Sequence, residues 1–326
     1  MVVDKIHDLE LELSVEKTKA IMFRRKYKDR IPEIVIGGVN INTKRSFKYL
    51  GLIVDDELNF KEHIKTAADK GNKVLQALSR LMPNIGGPKE PRRRLLVSIV
   101  QSVLLYGAPI WGQCLKYSKY CVDKLMRVQR RATIRSCCVY RTVSYSAVNL
   151  ISAIPSVDLL ALERQDAYNT RKAAGIGNQL VNETKQTGKR QGTYTRWKAR
   201  LQESKNGRWI ITLITNLEGW CNRKHGQVDF HLTQMLSGHG CFGSYLNRIG
   251  KEESLKCHHC PAEEDDAMHS LFECRSWMER DMRSTRYCRD WIRGRYARRW
   301  SKAVIAGMWC RSLRSTFSSR RRMQSG

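Results

Sequence analysis

The sequence predicts a mainly α protein (α+β) with a small β portion at its start and a small module held by cysteine and histidine side chains near its end. From residue 63 to residue 173, apolar residues recur at helical spacing. Short apolar segments separated by glycine turns precede this region, and a set of three cysteines and one histidine follows it near residue 260. These three observations place helices in the centre of the chain and strands only at its beginning.

The β portion is predicted from short segments between turn signals. Ile34–Ile36 and Val39–Ile41 flank Gly37-Gly38 and predict a β-hairpin. Residues 9–23 alternate polar and apolar side chains and predict an earlier strand, while residues 47–54 predict a later one.

Four segments place apolar residues three or four positions apart and predict helices. They are residues 63–81, 95–105, 122–134 and 157–173. Residues 83–91 contain Gly86-Gly87 between two prolines and predict a loop. Residues 174–207 are polar and rich in Gly, Gln, Lys and Thr, which favours a linker before a C-terminal region rich in Trp, His and Arg.

The chain is strongly basic. It has 59 Lys+Arg against 31 Asp+Glu, a formal net charge of +28, and its pI of about 9.9 makes a polyanion the natural partner. A basic protein without such a partner is the alternative. Ribosomal or histone-like tails usually have fewer Trp and Cys than the 8 and 11 present here.

A secreted or membrane-bound protein is not expected. The first residues are charged from the fourth position and lack the apolar core of a signal peptide, so the cysteines are expected to be reduced or metal-bound. Residues 95–115 are uncharged and long enough to cross a bilayer. Their serines, glutamines and the Gly107-Ala-Pro109 break favour a buried helix instead.

The set near residue 260 has the spacing C-x2-C-x8-H-x4-C, formed by Cys257, Cys260, His269 and Cys274. Three thiolates and one imidazole suit a tetrahedral zinc site that is closed and structural. Four unrelated side chains are the alternative interpretation. His258 and His259 lie between the first two cysteines and are spare ligands in principle, but they are left out because they lie too close to Cys257.

Asp55-Asp56 follows an apolar strand, as in sites of two-metal phosphoryl transfer. Its flanking residues, Tyr49-Leu50-Gly51 before it and Asn59-Phe60 after it, favour a solvated turn. No catalytic residue is therefore assigned.

Six ordered blocks resemble the C-terminal part of the reverse transcriptase in non-LTR (LINE-like) retrotransposons, most closely the arthropod elements that insert at fixed genomic sites. The blocks are Glu16–Lys19; Phe47–Gly51 with Leu58–Phe60 and His63-Ile64; Leu105–Trp111; Gln129–Arg131 with Tyr140–Ser144; Phe230–Gln234 with Gly238–Gly240; and Cys257–Cys274 with Trp277 and Arg280.

The resemblance implies a domain order and a set of contacts. Residues 1–60 would be a remnant of the polymerase palm with its primer-grip hairpin, 61–173 the helical thumb, 174–207 a linker, and 208–326 a region with the CCHC zinc module and a basic tail. RNA and DNA would be the partners, with structural Zn in this chain and Mg only in the intact polymerase. The residues implied to contact nucleic acid are Lys17, Tyr49, Leu50, Gly51, Lys61, Lys65, Arg127, Arg130, Arg131, Arg275 and Arg280.

The sequence departs from the family before Lys17. In the family the catalytic Asp pair lies a few dozen residues ahead of the Lys-Thr pair, whereas here sixteen residues precede Lys17 without such a pair. We therefore expect a C-terminal fragment that binds RNA and DNA, in the nucleus or cytoplasm, and does not polymerise by itself.

Two other functions fit parts of the sequence. A stand-alone or domesticated zinc-dependent nucleic-acid-binding protein is the first, and a single-copy gene with its own promoter and introns would distinguish it from a dispersed element. A C-terminal RNase H is the second, but residues 206–326 offer mainly the acidic run 263–266 for its carboxylates.

Overall fold

The computed structural model describes Ile6 and residues 8–23, 33–85, 87–174, 179–223 and 227–278. Arg280 and the basic tail, together with the other remaining residues, lie outside the described residues. The fold class is confirmed, because the described residues are mainly helical and their strands form two small antiparallel sheets.

Each sheet is a β-hairpin with a two-residue turn. Strand β1 (Ile34–Ile36) pairs with β2 (Val39–Ile41) across Gly37-Gly38, as predicted. Strand β3 (Ser46–Tyr49) pairs with β4 (Leu52–Asp55), so the single strand predicted over residues 47–54 is two strands. The turn residues Leu50 and Gly51 have φ of 44° and 86°, and positive φ at both central positions matches the twist of hairpin strands.

The strand predicted over residues 9–23 was wrong. This segment forms a short 3₁₀ turn at Val15–Lys17 and one isolated bridge between Ala20 and Thr43. Leu9 and Leu11 are mostly exposed. Alternating apolar side chains form a stable strand only when a neighbouring strand and a core cover them, and the described residues provide neither here.

Twelve α-helices follow the sheets in the described chain, joined by turns and loops. They are α1 Lys61–Ser79, α2 Glu90–Leu104, α3 Ala108–Trp111, α4 Lys119–Cys137, α5 Tyr145–Ser152, α6 Val157–Ala174, α7 Gln179–Glu203, α8 Arg208–Leu213, α9 Leu217–Cys221, α10 Phe230–Ser237, α11 Gly243–Arg248 and α12 Arg275–Met278. A 3₁₀ turn at Gly112–Lys116 follows α3, and a π-helical turn at His269–Glu273 precedes α12. The four predicted helices are confirmed as α1, α2, α4 and α6, with ends shifted by up to five residues.

The first hydrophobic core lies between α1, α2, α4 and α6. Helix α1 packs against both α2 and α4, and α2 also contacts α4. Ile64, Leu104, Trp111 and Leu125 are fully or almost fully buried in this core. Gly71 lets α1 approach α2 closely, since a Cβ at this position would lie 2.7 Å from Leu104.

The second core lies between α5 and helices α7 to α10. Tyr194, Trp197 and Leu201 of α7 are buried in it, although composition predicted a linker over residues 174–207. The three side chains recur at helical spacing on one face of α7, and the polar residues between them dominate the composition. Helix α4 reaches both cores and joins them, with Leu125 in the first and Ile134 in the second.

No single helix in the described part of the chain is long and apolar enough to cross a membrane. Two consecutive pairs, α2 with α3 and its 3₁₀ turn, and α5 with α6, pass that test only jointly, and they bend by 54° and 57°.

Candidate metal centre and nucleic-acid interface

The structure brings together the four side chains that the cysteine and histidine spacing singled out. One ligand atom from each of Cys257, Cys260, His269 and Cys274 lies within 4.8 Å of the others. The Cys257 and Cys274 Sγ atoms are 3.9 Å apart, and Cys260 Sγ lies 3.3 Å from His269 Nε2. Three of the four residues are buried and Cys260 is half-buried, so the ligand atoms converge on one shielded point.

A tight loop places the first two cysteines. The Cys257 N–H donates to the Ala262 carbonyl at 3.0 Å, and the His259 N–H donates to Cys257 Sγ at 3.4 Å. His258 points outward, with its side chain 58% exposed and its Nε2 3.5 Å from a Glu252 carboxylate oxygen. The geometry therefore agrees with a ligand set that leaves His258 out.

Backbone hydrogen bonds fix the turn that carries His269. The Asp266 carboxylate accepts the His269 N–H at 2.6 Å, and the Cys274 N–H donates to the His269 carbonyl at 2.8 Å. While Nε2 faces Cys260, Nδ1 lies 3.8 Å from a Glu273 carboxylate oxygen. A carboxylate beside the second nitrogen of a ligating histidine is typical of metal sites, because it orients the ring and raises its basicity. Sequence reasoning missed both acidic residues.

The thiols crowd one another in a way that favours a bound cation. Burial raises the pKa of Cys274 to about 12, and the neighbouring Cys257 thiol adds to this rise. Burial likewise raises the pKa of Cys257. Thiols held this close ionise together only when a cation offsets their mutual repulsion. The donor set, three sulfurs and one imidazole nitrogen, therefore fits a soft or borderline metal ion such as zinc.

Asp265 joins helix α11 to the turn that carries His269. Its side chain is fully buried and accepts from the Gly243 N–H at 3.1 Å and from the Ser270 hydroxyl at 2.8 Å. A Cβ at Gly243 would lie 2.9 Å from the Leu255 carbonyl oxygen, so α11 approaches the loop closely at this glycine. The acidic run considered for RNase H chemistry thus contains one buried anchor and, at Asp266, one capping residue.

An aromatic seam joins the module to the second core. The rings of His239 and Tyr245 stack at 4.8 Å, and the Thr142 hydroxyl lies 2.9 Å from both His239 Nδ1 and the Tyr245 hydroxyl. Burial and the nearby Arg248 guanidinium lower the pKa of His239 to about 4. His239 therefore has a structural role in this seam.

The β3–β4 hairpin presents exposed side chains at its tip. Tyr49 and Leu50 are 59% and 76% exposed, and the Leu50 carbonyl accepts a hydrogen bond from the Tyr106 hydroxyl at 2.8 Å. A Cβ at Gly51 would lie 3.0 Å from the Tyr106 ring, so glycine is needed here both for its positive φ and for this contact. The tip is therefore fixed against the residue that precedes α3.

Curated relatives align with this chain over most of its length. The Pol polyprotein of a type-1 retrotransposable element R1 from Nasonia vitripennis is 24% identical over 280 residues, covering 81% of this chain and 68% of that protein. The R1 Pol polyprotein of Bradysia coprophila is 25% identical over 274 residues, covering 80% of this chain and 27% of that protein. A putative 115 kDa protein in the R1 element of Drosophila melanogaster is 24% identical and is covered to 26% of its length.

The chain is a relative of the Pol polyproteins of non-LTR retrotransposons. The resemblance found in the sequence is thereby confirmed. The chain spans about a quarter of the two longer relatives. No protein-family model and no solved structure matches it.

The Asp55-Asp56 pair lies at the end of strand β4, and Asp55 has a structural role. The Asp55 carboxylate is buried and accepts backbone N–H groups from Glu57, Asn59 and Phe60 at 3.2, 2.9 and 2.7 Å. Asp55 therefore holds the turn into α1, where Phe60 has a φ of 53°. The solvated turn expected for this residue was wrong, because these three donors draw its carboxylate into the fold.

We expect Asp55→Ala to lower the free energy of unfolding by about 2–3 kcal/mol, because three N–H groups lose a charged acceptor. Glu57→Ala is the matched control, since the Glu57 side chain is exposed, accepts a hydrogen bond from the Asn59 side chain in the same turn, and its removal leaves the backbone N–H groups on Asp55 in place. Urea denaturation of both variants measures the difference. Equal midpoints would contradict the role of Asp55 as a buried acceptor.

The basic residues implied by the resemblance divide into two groups. Lys17, Lys61, Lys65, Arg127, Arg131 and Arg275 are exposed. Arg130 donates to the Arg141 and Val143 carbonyls, both at 2.7 Å, and Arg131 donates to Asn72 Oδ1 at 2.8 Å. Arg130 thus has a structural role in the turn after α4, and it is a weaker candidate for a phosphate contact than the exposed group.

Proposed function

We propose that this chain acts as the nucleic-acid-holding C-terminal part of a retrotransposon RNA-directed DNA polymerase, with a structural zinc module, and that it does not polymerise by itself. The convergence of Cys257, Cys260, His269 and Cys274 on one point carries the proposal. Such a set of ligands is typical of small modules in proteins that bind nucleic acid, and the relatives are retrotransposon Pol polyproteins.

The zinc ion would have a structural role. Four protein ligands fill a tetrahedral coordination sphere and leave no position for a water molecule or a substrate. The ion would neutralise the crowded thiolates and hold the 257–260 loop against the His269 turn. This chain's own residues supply the ligands, and the Glu273 carboxylate lies near the second nitrogen of the imidazole ring.

The charge of the chain supports nucleic acid as the partner. With a net charge of +28, the protein attracts polyanions at long range. The exposed Lys61, Lys65 and Arg127 are suited to phosphate contacts, which position a nucleic acid without reading its sequence. RNA and DNA are both included in the proposal, since such contacts are shared by the two.

Binding is expected to weaken steeply with salt. If roughly five to ten phosphates are contacted, the slope of log K against log salt concentration is several units. Fluorescence anisotropy with labelled single-stranded RNA and DNA over a salt series measures this slope. A binding constant that does not change with salt concentration would contradict binding through phosphate contacts.

The proposal of an inactive fragment has a direct test. Two-metal polymerisation needs carboxylates free to bind Mg²⁺, whereas the Asp55 carboxylate already accepts three backbone N–H groups. Primer extension on an RNA template with Mg²⁺ is expected to give no product. Measurable extension would contradict this proposal, and the Asp55 and Asp56 variants would then show whether that pair is responsible.

A further inference from the structure

Three exposed tyrosines lie between the end of α2 and the first turn of α4. Tyr106, Tyr117 and Tyr120 are 53%, 87% and 49% exposed. Ile110 in the same segment is 59% exposed. Exposed aromatic side chains that recur within one short stretch of a chain are candidates for a binding surface. We call Tyr106, Tyr117 and Tyr120 the tyrosine surface.

The tyrosine surface rests on a rigid base. Trp111 is fully buried in the first core and donates from Nε1 to the Tyr106 carbonyl at 2.8 Å. The Tyr106 hydroxyl holds the hairpin tip at Leu50. Cys114 Sγ lies 3.3 Å from the Leu58 carbonyl, which fixes the 3₁₀ turn leading to Tyr117. Rings on a fixed base lose little conformational entropy when a ligand stacks on them.

The charge around these rings matches a nucleic acid. The Lys124 ammonium lies 5.4 Å from the Tyr120 ring centroid. Lys116 and Lys119 flank Tyr117 and are exposed. A surface of aromatic rings between cations is suited to stacking with bases while the cations meet the phosphates. A protein partner with an apolar face would not require these lysines.

We propose that the tyrosine surface stacks with unpaired bases and so gives the chain a preference for single-stranded nucleic acid over duplex. The inference rests on the proposed function, because it names the form of nucleic acid that the same protein would hold. In a duplex the base faces stack on each other and cannot reach the rings, whereas in a single strand every base offers its face.

The experiment compares two probes on the full chain. One is a labelled single-stranded oligouridine, and the other is a labelled RNA hairpin of equal charge. We expect the double variant Tyr117→Ala and Tyr120→Ala to weaken single-strand binding about tenfold or more, with less than a twofold change for the hairpin. Tyr168→Ala is the control, because Tyr168 is equally exposed at 49% but lies on α6, outside the tyrosine surface.

A double variant with Phe at both positions separates loss of the rings from misfolding. This variant keeps the rings and should restore single-strand binding, which excludes misfolding as the cause. If the wild type binds the probes and the Ala variant matches Tyr168→Ala, or loses both probes equally, the inference is overturned while the proposed function stands. If the wild type binds neither probe, the proposed function fails and the inference fails with it.

Discussion

Replacing Cys257 by Ser or His269 by Ala is expected to release the metal and unfold the segment around residues 241–278. This module has a small apolar core of its own, with Phe242, Tyr245 and Ala267. Structural zinc supplies apparent binding free energies of about 10–16 kcal/mol in small modules, and this binding energy is folding energy. With one ligand of four lost, the remaining binding free energy is too small to keep the 257–260 loop folded. Metal content by mass spectrometry and limited proteolysis both report the change.

Cys114→Ser is the matched control for the metal centre. Cys114 is half-buried, packs against the first core and contacts the Leu58 carbonyl, and it is not one of the four converging side chains. This variant should retain the metal and the protease resistance of the module. Equal metal content in Cys114→Ser, Cys257→Ser and His269→Ala would refute the site.

Removing the Glu90 carboxylate is expected to have the second large effect. Glu90 is 6% exposed at the start of α2, and Arg223 after α9 is 4% exposed. The Arg223 Nη2 donates to the carboxylate at 2.9 Å, and the Val228 N–H donates to its other oxygen at 2.6 Å. Burial lowers the pKa of Arg223, and Glu90 counteracts this shift by favouring the charged guanidinium.

Glu90→Ala should therefore lower the free energy of unfolding by about 3–5 kcal/mol, because it leaves a buried guanidinium without its counter-charge. Arg94→Ala is the control, since Arg94 meets the same carboxylate at 3.5 Å but is 38% exposed. Its loss should cost less than about 1 kcal/mol. Guanidinium chloride unfolding of both variants measures the difference, and similar losses would contradict the buried pair.

The Glu90–Arg223 pair also explains how distant parts of the chain stay together. Arg223 stacks on Trp220, whose ring lies 3.9 Å away and whose Nε1 donates to the Leu150 carbonyl. Trp220 belongs to the second core, while Glu90 begins a helix of the first. We infer that α2 and the second core unfold together, whereas loss of the metal acts on the C-terminal module first.

The sequence by itself determined features whose physics is local. Helical spacing of apolar residues located α1, α2, α4 and α6, since one buried face is enough to favour a helix. Gly37-Gly38 located the first hairpin because its turn needs positive φ. The spacing of Cys257, Cys260, His269 and Cys274 named four side chains that the structure brings within ligand distance.

Only the tertiary structure decided features that depend on distant partners. Residues 9–23 alternate like a strand, but no neighbouring strand pairs along their length in the described residues. Helix α7 has three core residues, although most of its residues are polar. The sequence predicted a solvated Asp55, whereas in the structure the turn into α1 supplies three N–H donors to its carboxylate. The buried partner of Glu90 lies 133 positions away in sequence. The free energy of such groups is set by burial and pairing across the fold, which no local pattern records.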